Sequence, residues 1–392
     1  MKITKLMLSA AVAALALVSC NKQDTTPTIP NRLKTVEISV QNAALTKGLA
    51  GNKIEDGQAV LVKDFKVFLT DAAGNEYTAK TANGAQDATS YWSTEDLSTG
   101  ALSAAFHYVD PNCTRVVAVA NIGKDLTFAE YKALANLKVG DQQNQDELIL
   151  YAAEDLKATT RQHSDLNNNG TTYVADVYEA KLTLTPRISR FEVDGFSVIF
   201  NGTDPLFDEI NFTQLAIQNY YPETSIVTGA ETGTPVLHIA DLSQQAAVYT
   251  WLDDPAKPSI WYRDYFDVTV TPADPAADIY DLTDPTMRTP LAYHVFAGDE
   301  VPVFVIKLIA DGQPAYIYTK NIYVADDDAD ASNDVLLESL EEGKIYRMSA
   351  KGDVEGDGSI PIPEDKIDPM DRCLEITVEV IDWTVELVYP EF

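Results

Sequence analysis

Apolar residues recur at every second position through most of this chain, and turn-forming residues separate the runs. That period places alternate side chains on opposite faces of an extended strand. Residues 65–69 (FKVFL) run into the turn Asp71-Ala-Ala-Gly-Asn75. The segments 101–109, 115–121 and 173–185 continue the pattern, as do 188–200, 212–220, 301–309, 315–324, 344–348 and 373–389. Only residues 127–137 space their apolar side chains like a helix. Strands at short intervals with few helices predict β-sandwiches rather than βαβ units. The expected class is therefore all-β, with one minor helix in the first half. The pattern restarts after Pro186, which divides the chain into 48–186 and 187–392. Two domains also suit a chain longer than one hydrophobic core usually serves.

The first and last runs differ from the rest. In TVEISVQNAALTKG, residues 35–48, Val36, Ile38 and Val40 alternate with polar residues, and the run ends at Lys47-Gly48. In the last run Leu374, Ile376, Val378 and Val380 alternate in one phase. At Ile381-Asp382 the phase slips by one, and Trp383, Val385, Leu387 and Tyr389 alternate in the other. A slip of one flips every side chain to the opposite face. The segment is either one bulged strand or two consecutive strands with different partners. An apolar strand placed here either joins its own sheet or pairs with another chain.

Ahead of the strands stands a leader. Lys2 and Lys5 precede the apolar run 6–18, which is too short to span a membrane comfortably. The run closes in Leu17-Val18-Ser19-Cys20, a lipobox. Residues 1–19 are expected to be a lipoprotein signal peptide and Cys20 the lipid-bearing residue. The following NKQDTTPTIPN is polar and proline-rich, which suits an extended tether, so 20–47 is expected to hold the tether and the first strand. No later segment is long and apolar enough to span a bilayer as a helix. Cys113 and Cys373 are far apart and flanked by apolar residues, so buried free thiols are expected rather than a disulfide framework.

Sixty acidic residues against 29 basic ones leave a formal net charge of −31. This argues against nucleic acid or an anionic membrane surface as a partner. None of the four histidines stands in HExxH, and GxSxG, CxxC and a phosphate-cradling glycine loop are absent from the sequence. No enzyme is expected.

Calcium is the one cofactor the sequence offers. Asp353, Glu355, Asp357, Gly358, Ile360 and Glu364 fall at positions 1, 3, 5, 6, 8 and 12 of an EF-hand-like loop, a spacing that gathers oxygens round one cation. Pro361 and Pro363 forbid the usual exit helix, and a solvated turn is the plainer reading. Asp165, Asn167, Asn169, Gly170 and Asp176 form a weaker version. Aromatic residues gather at Tyr220-Tyr221 and over 251–266, either as core packing or as a platform for sugar rings.

Taken in order, these features resemble the fimbrillins, the major subunits of the type V pili of Bacteroidales. The resemblance lies in the lipobox and its polar spacer, the first strand, 65–69 with its turn, RVVAVANIG at 115–123, LTPRISRFEV at 184–193, GKIYRM at 343–348 and the terminal LEITVEVIDWTVELVYPEF. It implies two transthyretin-like β-sandwich domains and a structural, adhesive role at the cell surface. It further implies an outer-membrane lipoprotein precursor, cut by a trypsin-like protease behind the first strand. Val36, Ile38 and Val40 would leave with the lipid. A terminal strand of another pilin subunit, here Trp383, Val385, Leu387 and Tyr389, would take their place. The matching cut lies between Lys47 and Gly48. Arginine is the usual residue there, and Arg32 precedes the strand. An uncut chain would remain on the membrane as an anchor or tip accessory pilin. A surface glycan-binding lipoprotein is the alternative of a different class.

Overall fold

The structure, a computed structural model, describes residues 34–41, 59–80, 86–87, 90–92, 103–122, 126–133, 136–142, 148–166, 172–193, 195–236, 263–278, 291–324, 335–349, 359–367, 373–382 and 384–387. The first-half strands are β1 (Lys34–Gln41), β2 (Ala59–Val62), β3 (Phe65–Thr70), β4 (Glu76–Tyr77), β5 (Ala79–Lys80), β6 (Gln86–Asp87), β7 (Ser90–Trp92), β8 (Ser103–Val109) and β9 (Arg115–Ala120). Helix α1 (Phe128–Ala133) comes next, then β10 (Asn136–Lys138), β11 (Leu150–Asp155), β12 (Lys157–Leu166), β13 (Thr172–Thr183) and β14 (Thr185–Pro186). The second half holds β15 (Ile188–Val193), β16 (Gly195–Ile199), β17 (Ile210–Gln218), β18 (Glu223–Ser225), β19 (Glu231–Thr232), β20 (Arg263–Val270), β21 (Ala276–Asp278) and β22 (Leu291–Phe296). It closes with β23 (Val303–Ala310), β24 (Gln313–Val324), β25 (Val335–Leu336), β26 (Lys344–Ser349), β27 (Ser359–Pro363), β28 (Cys373–Asp382) and β29 (Thr384–Leu387).

The fold is all-β. Two first-half sheets, β12-β13-β1-β8-β5-β6 and β14-β11-β9-β3-β4 with β7 on β3, bury Val36, Phe68, Val117, Leu150 and Leu182 in a shared core. In the second half the large sheet runs β20-β17-β23-β24-β28-β26-β15-β22, with β25 on β24. It packs against β21-β16-β27, where the Phe196 and Phe212 rings stack at 4.3 Å. Sheet membership switches at Arg187: Pro186 pairs with Leu150, and Ile188 pairs with Phe296.

The halves are joined by more than one strand crossing. β10 from the first half pairs antiparallel with β18 from the second. Arg187 lies over the Tyr151 ring at 3.9 Å, pairs with Glu342 at 2.6 Å and donates to the Ile226 and Val227 carbonyls. One face of β15 carries Arg190 and Glu192, 1% and 0% exposed. Arg190 Nε lies 2.8 Å from Glu192 Oε1, and Arg347 Nε lies 3.4 Å from Glu192 Oε2.

Two sequence expectations change, and one alternative left open is decided. The helix covers 128–133 rather than 127–137. Thr127 and Glu130 form its capping box, with Thr127 N donating to Glu130 Oε2 at 2.8 Å and Glu130 N to Thr127 Oγ1 at 3.2 Å. Leu137 instead pairs with Thr224 across the junction, so a tertiary ladder outweighs local helical spacing. The run 188–200 divides into β15 and β16, which enter different sheets: Val193 pairs with Leu291 and Gly195 with Ser359. The run 373–389 is two strands with different partners, the second of the two alternatives. β28 lies between β24 and β26, and β29 pairs with β2.

Candidate strand-exchange site

β1 lies inside its sheet rather than at an edge. β13 runs parallel along one side, from Lys34↔Asp176 to Gln41↔Thr183. β8 runs antiparallel along the other, from Lys34↔Val109 to Ser39↔Ser103. Backbone groups on both edges of the strand therefore have ladder partners. Between the partners of Lys34 and Val36, β8 carries one extra residue, and there Tyr108 adopts a φ of 58°. A bulge of this kind sharpens the twist at the head of the strand.

The inward side chains are Val36 and Ile38, 0% and 2% exposed. Across the ladder they face Phe106 and Ala104 on β8, and Tyr178 and Ala180 on β13. Burying such side chains is worth roughly 1.5–3 kcal/mol each. The head of β1 is polar and still buried. Lys34 Nζ donates to the Cys113 carbonyl at 2.8 Å and lies 4.4 Å from the centre of the Tyr178 ring. Burial pulls the ammonium below its ordinary pKa, and nearby Cys113 and Asp110 oppose that shift.

On the opposite face, buried Thr35 places Oγ1 3.3 Å from His107 Nδ1, and the His107 ring stacks on His163 at 4.3 Å. Glu37 pairs with Arg161 Nη2 at 2.8 Å. The same nitrogen lies 3.5 Å from Glu179, the register partner of Glu37. One guanidinium thus bridges two carboxylates on neighbouring strands.

Withdrawing β1 would separate β13 from β8, uncover Phe106, Ala180 and Leu182, and leave two facing rows of backbone groups without partners. A strand of matching period could restore all of this. With β1 withdrawn, the arrangement could take up an extended peptide.

The expected residues are placed as follows. Val36, Ile38 and Val40 all belong to β1, and the Val40 side chain lies outside the described residues, as do Cys20, Lys47 and Gly48. Trp383 and Tyr389 also lie outside them. Val385 and Leu387 belong to β29, which runs parallel to β2 of the same chain, Val385 opposite Val60 and Leu387 opposite Val62.

Asp353, Glu355 and Asp357 are outside the described residues. Glu364 is buried, and its carboxylate accepts the Asn201 amide at 2.5 Å and the Leu206 amide at 2.9 Å, so it pins a loop. Among the described residues, no group of three or more His, Cys, Asp or Glu is arranged to hold a metal ion. Asp176 Oδ1 accepts a hydrogen bond from Gln162. Tyr220 is buried, and 251–262 fall outside the described residues. Cys113 is a buried free thiol whose pKa burial pushes up to about 11. The sequence reading missed Arg161, His107 and Lys34. The one available signal was a basic residue at the head of an alternating run.

No family model matches the chain, and no curated protein matches it. Among solved structures it is similar to a candidate cell adhesion protein from Bacteroides eggerthii, at 13% identity over 92% of this chain and 99% of that one, with a TM-score of 0.44. It is similar to a fimbrilin from Porphyromonas gingivalis, at 11% identity over 90% of this chain and 98% of that one, with a TM-score of 0.44. It is also similar to a tip fimbrial protein from Porphyromonas gingivalis with a C-terminal truncation, at 10% identity over 89% of this chain and 100% of that one, with a TM-score of 0.39.

Proposed function

We propose that this chain is a structural subunit of a cell-surface pilus that supports adhesion. It is exported as a lipoprotein precursor acylated at Cys20. A trypsin-like protease cuts it between Lys47 and Gly48, and it polymerises when the terminal strand of another subunit enters the place vacated by β1. Its partners are other pilin subunits, the maturation protease, and the outer membrane through the lipid until the cut is made. The observation that carries the reading is the position of β1. It is paired on both edges, yet it is joined to the rest of the described fold only through the segment between Gln41 and Ala59, where Lys47 stands. A cut at Lys47 detaches β1 and its tether and no other described element.

A second reading is an uncut anchor subunit of the same system. The deep hold on Lys34 and Thr35 at the head of β1 favours it. The N-terminal sequence and intact mass of protein released from the cell surface separate the two. A chain beginning at Gly48 is expected for a polymerising subunit. A chain beginning at lipidated Cys20 overturns that reading in favour of the anchor.

A further inference from the structure

β1 contains Thr35-Val36-Glu37-Ile38, and β29 is Thr384-Val385-Glu386-Leu387. These two four-residue segments lie far apart in the chain and differ only in the branching of the fourth side chain. Apolar complementarity alone would require matching residues at the second and fourth places. It would not require the threonine and the glutamate. In β1 those two residues make the polar contacts of the outer face, Thr35 with His107 and Glu37 with Arg161.

We propose that the place vacated by β1 reads residues 383–389 of a second copy of this chain through these polar positions as well as the apolar ones. Thr384 takes the place of Thr35 beside His107, and Glu386 takes that of Glu37 on Arg161. Val385 and Leu387 fill the positions of Val36 and Ile38. Trp383 falls in register with Lys34. This rests on the strand-exchange reading and adds to it the side chains that identify the partner.

Charge and pairing favour this occupant. Glu179 and Arg161 form the outer row beside the vacated place, and a carboxylate there completes the Glu–Arg–Glu bridge seen with Glu37. Residues 372–378 (RCLEITV) also carry a Leu-Glu-Ile core, but they have cysteine where β1 has Thr35. β28, which begins at Cys373, is paired on both edges by β24 and β26, so giving it up would open the large sheet. Among the described residues β29 has one partner strand, β2, and its departure costs a single ladder.

The test uses the full chain with a sequence-specific protease site in place of Lys47-Gly48. After cutting, the rate of polymer formation is followed by light scattering and by denaturing gels. Arg161→Ala leaves Glu179 beside the incoming Glu386 and is expected to slow assembly at least about threefold, because like charges directly opposite are destabilising. Adding Glu386→Ala removes the repulsion and is expected to return the rate to that of Glu386→Ala alone. Arg161→Lys keeps a cation and is expected to assemble near the wild-type rate, which separates recognition from a folding defect. If the cut wild type polymerises and the two alanine substitutions act independently, the recognition scheme is overturned and strand exchange stands. If the cut wild type does not polymerise, both are overturned.

Discussion

Arg190 Nη1 lies 3.0 Å from His294 Nε2, and the other ring nitrogen, Nδ1, lies 2.7 Å from the Gln142 carbonyl. A carbonyl only accepts and a guanidinium only donates. The proton therefore sits on Nδ1, Nε2 accepts from Arg190, and the imidazole is neutral. This contact also joins the halves, since Gln142 belongs to the first and His294 to the second.

Burial, reinforced by Arg190 and opposed by the bond to Gln142, holds the His294 pKa down at about 3. The unfolded chain therefore takes up a proton near pH 6.5 that the folded chain refuses. Stability is expected to be flat above about pH 6.5 and to fall below it by about 1.4 kcal/mol per pH unit from this residue, down toward pH 3. His294→Gln should remove that slope. Urea denaturation of the two proteins at several pH values measures the difference.

Glu192 accepts from both Arg190 and Arg347 in the interior. Glu192→Leu leaves two buried guanidinium groups without that carboxylate and should cost about 3–5 kcal/mol. Replacing all three together, with Arg190→Met, Glu192→Leu and Arg347→Met, should cost much less, because no buried charge is stranded. Guanidinium denaturation of the single and triple variants checks the ordering.

Ile38→Ala in the uncut chain should remove about 2–5 kcal/mol from the first half. The same substitution should have no effect once the chain has been cut behind β1. Thermal melts before and after cutting test this, and a loss that persists after cutting would mean β1 stays bound.

Deleting residues 383–392 should leave a folded monomer that does not polymerise, because β28 remains between β24 and β26. Deleting from Cys373 onward should unfold the large sheet. Circular dichroism and size-exclusion chromatography distinguish the outcomes.

Glu364→Ala orphans the Asn201 and Leu206 amides and should cost about 1–3 kcal/mol. The loss should be equal in calcium and in chelator, since this carboxylate already serves two backbone donors. A loss seen only in calcium would support the EF-hand-like reading of this loop.

Most strands were legible because alternation is a local property. The phase slip at Ile381-Asp382 correctly marks a change of partner between β28 and β29. Arg190 and Glu192 were not legible as interior residues. In ISRFEV they alternate as a solvent-facing pair would, yet both are buried, beside His294 of β22 and Arg347 of β26. Leu137 was misplaced for a related reason, since its strand partner Thr224 lies beyond the junction. In the exchange site the apolar positions of β1 followed from period two. Arg161 and His107 did not, because they come from β12 and β8, and local periodicity carries no information about which distant strand will stand alongside.

β2 and β29 enclose nearly the whole fold between them in chain order. β2 is synthesised early, and its only partner among the described residues follows after everything from Phe65 to Asp382. Pairings so distant along the chain form late and slowly. Until β29 has been made, β2 lacks the strand it pairs with in the fold. A chain interrupted anywhere before β29 cannot form the β2–β29 ladder.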